Sequence, residues 1–272
     1  MSSPPETQDR PGSTIDPRLR ARRIAVRRDV GRRRLHRFAV LGIVVAVLGL
    51  VVAAALSPLL DVDEVTVTGT VHASDPEVVA ASGVRLGDQL VLVDRVGVTE
   101  RVERVPWVRT ASVERSWPAT LEIAVVEREA LVGFVGSDGR LVLADEEGRI
   151  LDVVDPGEAG PGVVVVTGPA SPGTPGGSVT EPARPALEVA RALPPEVADR
   201  VGEVAVEDDG TLTLLLRPAA EGAEPGPRVV LGDDLALDGK VAALATVLAR
   251  VDLTGVATID LQVPSAPALT RR

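Results

Sequence analysis

The chain has 272 residues, 45% of them apolar but only 1% aromatic, with no cysteine and no tyrosine. Val, Leu and Ala must therefore build the core, aromatic platforms for stacking bases are excluded, and so are disulfides, thiolate nucleophiles and cysteine-ligated metals. The net charge of −10 hides an asymmetry: residues 1–37 carry 11 arginines against four acids, and the remainder carries 18 basic residues against 35 acids.

Residues 1–37 are rich in Pro and Arg, cannot bury a core, and are expected to be a disordered basic arm that stays in the cytoplasm and lies against anionic lipid rather than nucleic acid. Residues 38–60, FAVLGIVVAVLGLVVAAALSPLL, hold 23 positions without a charge, about the length a helix needs to cross a bilayer. The stretch starts too late and runs too long for a cleaved signal peptide. Arg32, Arg33, Arg34 and Arg37 precede it, and Asp61, Asp63 and Glu64 follow it. Positive flanks stay inside, so the expectation is one uncleaved membrane span with the amino end in the cytoplasm.

Residues 61–129 predict the order β-α-α-β-β. DVDEVTVTG alternates as a strand and ends at Gly69. Ser74 and Glu77 stand in capping-box register ahead of a short helix closed by Gly83. A Gly87-Asp88 turn leads to a second helix near Asp94–Arg104, stopped by Pro106. Two strands, Trp107–Trp117 and Thr120–Glu127, flank Pro118-Ala119 and read as a hairpin. Trp107 and Trp117 are expected to pack under it, since few other bulky groups exist to fill the core.

Residues 130–264 predict a second unit. Strands at Leu131–Val135, at Arg140–Ala144 and from Ile150 are joined by the turns Ser137-Asp138-Gly139 and Asp145–Gly148. Residues 155–183, rich in Pro, Gly and Ser, read as a poorly ordered loop broken only by the strand-like VVVVT at 163–167. A helix is expected near Pro185–Leu193. Strands follow at Glu203–Glu207, Leu212–Leu216 and Arg228–Leu231, then an amphipathic helix at Lys240–Val251 and a last strand at Ala257–Val263. Residues 265–272 read as a tail.

No catalytic constellation emerges. Lys240 is the sole lysine and Leu237 stands three residues before it, so the S-x-x-K acylation motif is absent. Neither G-x-S-x-G nor H-E-x-x-H occurs. Only His36 and His72 exist, and His72, on a turn with no paired nucleophile, reads as solvated. The acidic runs Asp145-Glu146-Glu147 and Asp233-Asp234 lack the spacing of a calcium loop and read as solvated turns. No cofactor, metal or small-molecule substrate is expected, and the chain is read as not an enzyme.

The stretches VDEVTVTG, SGVRLGDQLVLVD and RVPWVRTASVERSWPATLEIAVVEREALVGF, placed behind a membrane anchor, resemble the POTRA domain of the FtsQ/DivIB family of cell-division proteins. The run VVLGDD, KVAALATVLARV, ATIDLQVPSAP is similar to the end of that family's β domain, so the resemblance covers residues 38–267. The tail resembles actinobacterial members, and the bias toward arginine over lysine is consistent with a GC-rich genome. The implied class is α+β: a POTRA domain at 61–129, then a mixed, mostly antiparallel sheet at 130–264 with flanking helices. The resemblance also implies a noncatalytic, single-pass scaffold at the division septum that binds FtsB and FtsL and links them to a septal peptidoglycan synthase complex. Its docking residues would be Thr258, Ile259, Asp260, Leu261, Gln262 and Val263 on the last strand, taken to be a sheet edge that accepts an added strand. Lys240, Ala243, Thr246, Val247 and Arg250 would adjoin them on the preceding helix. Pro264 has no donor and should end that strand early. A membrane-tethered wall-modifying enzyme working through carboxylates is the alternative from another class. A chaperone module for outer-membrane assembly is a further one, poorly suited to a single unit behind an anchor.

Overall fold

The computed structural model describes residues 36–53, 57–168, 172–218 and 226–272. The expected basic arm lies outside these residues except for its last two positions. The chain divides into two units, residues 1–61 and 62–272.

In the first unit, helix α1 (His36–Ala53) has a mean hydropathy of 2.3 over its 18 residues and is long and apolar enough to cross a membrane. The expected helix to residue 60 is not continuous. Residues 54–56 lie outside the description, and Pro58–Leu60 form a separate 3-10 turn capped by Ser57, whose side chain accepts from the Leu59 N–H. A proline brings no amide donor, so a fresh helical start is its natural place.

The second unit opens with the expected β-α-α-β-β order. Strand β1 (Glu64–Thr68) leads to helices α2 (Asp75–Ser82) and α3 (Arg95–Val102), then to strands β2 (Val108–Ser116) and β3 (Thr120–Glu127). The Ser74 side chain accepts from the Glu77 amide, and Gly83 closes α2 at a φ of 70° that a side chain would resist. β3 lies in the middle, antiparallel to β2 and parallel to β1. Its alternation is the reason: Leu121, Ile123 and Val125 are buried against Val78, Leu90, Val98 and Val102, and Glu122 and Val126 face out.

Among the described residues, the remaining nine strands form one sheet. They are β4 (Val132–Val135), β5 (Leu141–Ala144), β6 (Ile150–Val154), β7 (Val164–Thr167), β8 (Val201–Val206), β9 (Leu212–Leu216), β10 (Arg228–Gly232), β11 (Val256–Asp260) and β12 (Ala268–Arg271). Their order is β12-β11-β10-β9-β8-β7-β4-β5-β6. Pairing is parallel at β10/β11, β4/β7 and β7/β8 and antiparallel elsewhere, the mixed sheet the sequence implies. Helices α4 (Arg184–Ala192), α5 (Pro195–Ala198) and α6 (Leu237–Arg250) give Leu187, Val189, Val197, Val241, Leu244 and Val247 to the core beside the sheet's own apolar residues.

Besides the short helix α5, where no element was expected, two segments depart from expectation. The stretch 155–183 was to be mostly loop, yet its VVVVT run forms β7 in the interior of the sheet, between β8 and β4, with Val164 and Val166 buried. A four-residue apolar run with no polar alternation suits a strand covered on both faces. The flanking Pro/Gly segment also pairs: Ile150 donates to the Gly177 carbonyl, and Gly176 donates to that of Ile150. Residues 169–171 lie outside the description. The second departure is β12, which occupies the segment expected to be a tail.

The two domains share apolar cover. All four β5 residues are buried, Val142 and Ala144 in the cluster with the helices, Leu141 and Leu143 with Leu151 in the cluster of the first domain. The tryptophans divide: Trp107 is buried at 7% exposure and Trp117 is 56% exposed on the hairpin turn, so only the first fills the core as expected.

Candidate partner-binding site

Two places concentrate specific contacts: the junction between the domains, and the β11–β12 end of the large sheet. At the junction, Glu127 and Arg128 close β3. The Glu127 carboxylate accepts from the Val71, His72 and Ala73 amides at 2.8 to 3.0 Å and meets His72 Nδ1 at 3.0 Å. His72 also stacks on Trp107, with ring centroids 4.2 Å apart and planes 9° from parallel. His72 is thus a fixed turn residue rather than the merely solvated one expected.

Burial pushes the Glu127 carboxyl up, but the Val71, Ala73 and His72 amides and the His72 ring together outweigh it and hold the group below its ordinary range. A lowered carboxyl contributes stability that is complete above the unfolded-state value, about 4.3, and is lost as pH falls through the folded one. The prediction is that Glu127→Gln destabilises the chain at pH 7 by about 1.5–3 kcal/mol, the range for hydrogen bonds to a charged group. It should also flatten the acid side of the stability–pH curve. Urea unfolding between pH 3 and pH 7 checks both, and an unchanged acid slope would remove Glu127 from this role.

Arg128 Nη1 lies 2.7 Å from Asp145 Oδ2, and its Nε donates to the Val108 carbonyl. Asp145 is 0% exposed, and its other oxygen accepts from the Arg149 amide. The acidic turn is therefore not uniformly solvated: Asp145 is a buried partner, and Glu146 and Glu147 pair with Arg109 across the junction. Arg149 in turn donates to the Arg104 carbonyl.

At the far end of the sheet, the anticipated edge strand is internal. β11 pairs parallel to β10 through Thr258, Ile259 and Asp260. On its other side it pairs antiparallel to β12, Thr258 opposite Thr270, Ile259 opposite Leu269 and Asp260 opposite Ala268. The open edge belongs to β12, whose four residues are all exposed. Sequence reasoning missed this strand because nothing in it is buried, so it carries no hydrophobic alternation to read.

The structure separates the predicted docking residues. Ile259 and Leu261 are fully buried, and the Leu261 amide donates inward to the Val230 carbonyl. Thr258 and Asp260 are half-buried. Gln262 and Val263 are exposed beyond the end of β11, where the Gln262 amide is held by Asp260 Oδ1. The strand therefore ends before Pro264, at Asp260.

On α6, Thr246 and Arg250 are exposed one turn apart and Ala243 is half-buried, while Val247 faces the core. Lys240 is not available as a surface cation. It is 2% exposed, and its Nζ is held by the Asp233 carbonyl at 3.0 Å and by Asp233 Oδ1 at 2.6 Å. That contact, first, lowers the Asp233 carboxyl, and it ties the start of α6 to the end of β10. Asp233 is thus a structural partner rather than a solvated turn acid.

Comparison with known proteins agrees with both domains. Residues 60–128 match the model of the POTRA domain, FtsQ-type, and residues 133–262 match that of Cell division protein FtsQ/DivIB, C-terminal. Among curated proteins, the chain is 32% identical to the cell division protein FtsQ of Mycolicibacterium smegmatis over 219 residues, covering 78% of this chain and 58% of that protein. It is 31% identical to the FtsQ of Mycobacterium tuberculosis H37Rv over 230 residues, covering 84% and 67%. To the FtsQ of Streptomyces bingchenggensis it is 30% identical over 234 residues, covering 85% and 84%. The aligned part spans little more than half of the Mycolicibacterium smegmatis protein and 49% of the Mycobacteroides abscessus one.

Proposed function

This chain belongs to the FtsQ/DivIB family of cell division proteins, and from that premise we propose that it is a noncatalytic, single-pass scaffold of the divisome. α1 anchors it, the arginine-rich arm stays in the cytoplasm by the positive-inside rule, and residues 62–272 work outside the membrane at the septum. There the β domain holds FtsB and FtsL and links them to the septal peptidoglycan synthase complex.

The observation that carries this reading is the β11–β12 end of the sheet. A sheet that, among the described residues, ends in a strand with no buried residue offers backbone donors and acceptors to an extended partner segment. Of the residues the family resemblance puts forward, Thr258, Asp260, Gln262, Val263, Thr246 and Arg250 have exposed or half-exposed side chains and are the ones proposed to meet the partner. Ala243 is proposed to support them from α6. Ile259, Leu261, Lys240 and Val247 are proposed to act by fixing the position of β11 and α6.

Calorimetric titration of the full chain in nanodiscs with an FtsB–FtsL ectodomain pair tests the reading. Saturable binding is the expected result. A folded chain that shows no heat and captures neither protein would overturn it.

A further inference from the structure

The strand at the open edge is held differently from every strand beside it. β11 is fixed by its side chains, since Val256 and Ile259 lie in the core and Leu261 follows them into it. β12 buries none of its four residues. It is held by the ladder to β11, irregular between Val256 and Thr258, and by the Arg272 amide on the Gly255 carbonyl. A strand without buried side chains opens at low free energy, and a register break weakens it further. Its tether, residues 261–267, contains Pro264 and Pro267 and turns at Val263–Ala266. The residues matching the family's C-terminal domain stop at 262, before β12 begins.

We infer that β12 is a tethered placeholder, and that the partner engages by displacing it and pairing its own extended segment directly with β11. The inference rests on the scaffold reading above. β11 is the better template because its buried residues specify one register, whereas β12 has no core side chain to specify one.

The seated tail also shows the chemistry that the site accepts. It is an antiparallel segment with Ala268 and Thr270 on one face and Leu269 and Arg271 on the other, so it places an apolar residue opposite Ile259 and a cation opposite Val256. The Asp252 carboxyl is held down by the Thr254 amide and then the Thr254 hydroxyl, with Arg271 contributing after them. An incoming strand is therefore expected to place Lys or Arg there.

A competitor on a short tether acts at high effective concentration, so an edge open about one-tenth of the time weakens a partner about tenfold. The test uses the full chain in nanodiscs, a variant lacking residues 268–272, and Thr270→Pro, which disfavours the ladder without shortening the chain. A fluorescent peptide of residues 264–272 is expected to bind both variants saturably and the unaltered chain at least tenfold more weakly. The FtsB–FtsL pair should bind both variants about tenfold more tightly than it binds the unaltered chain. Equal or weaker binding of the pair to the variants overturns the inference and leaves the scaffold reading standing, because the partner then adds to β12 or docks elsewhere. Failure of the peptide to bind either variant also overturns it. If the peptide binds the variants but the pair binds no form of the chain, the scaffold reading fails and displacement by that partner fails with it.

Discussion

Replacing Arg128 by alanine is expected to lower the unfolding free energy by about 3–5 kcal/mol, the loss seen when one partner of a buried ion pair is removed. The size follows from what remains. Asp145 is fully buried with its Oδ2 facing the Arg128 guanidinium at 2.7 Å, and the variant strands that charge away from water. Desolvation and not lost attraction dominates, so the double substitution Arg128→Met with Asp145→Asn should recover at least half of the loss. The carboxamide introduced in place of the carboxylate would still offer an oxygen to the Arg149 amide. Because Leu141, Leu143 and Leu151 of the second domain lie in one cluster with Leu121 and Ile123 of the first, the variant should still unfold in a single transition. Urea titration followed by far-UV dichroism and by the fluorescence of the two tryptophans measures both points. A loss below about 1 kcal/mol, or a double variant no better than the single one, would show that the pair is hydrated and contributes little.

That junction also shows where sequence reading succeeds and where it stops. The β-α-α-β-β order was readable because each element carries a local signal: the Ser74 cap and Gly83 close for α2, the Leu121, Ile123 and Val125 alternation for β3. The pairing of Arg128 with Asp145, 17 residues apart, has no local signature, and an acidic turn looks the same whether water or a guanidinium faces it. β7 was visible as an apolar run but not as an interior strand of a sheet, since its partners β4 and β8 come from more than 25 residues away on either side. The docking residues were drawn on the assumption that the last hydrophobic strand is the last strand. β12 defeats that assumption because it joins the ladder without burying a side chain in the core. Lys240 was put forward by the family resemblance as a docking residue, yet Asp233, seven residues before it, accepts from the buried ammonium.

Proline at Leu261 and proline at Thr270 are expected to differ by about 3 kcal/mol or more in stability, though both positions belong to the same end of the sheet. Leu261 is fully buried, and its amide donates to the Val230 carbonyl at 2.8 Å. The substitution Leu261→Pro therefore removes an interior ladder bond together with a buried aliphatic side chain, whose truncation alone costs about 2–5 kcal/mol. It disturbs the anchor of β11 rather than any docking edge, so loss of partner binding in that variant would report unfolding. Thr270 stands on an exposed edge strand, where proline opens the β12 ladder without removing a core side chain, and a tenfold shift toward the open edge corresponds to about 1.4 kcal/mol. Thermal and urea unfolding of the two variants should give a strongly lowered midpoint for the first and a slightly lowered one for the second. A Thr270→Pro variant as unstable as Leu261→Pro would mean that β12 helps hold the sheet together. Equal and small losses would mean that Leu261 is not the inner anchor its burial indicates.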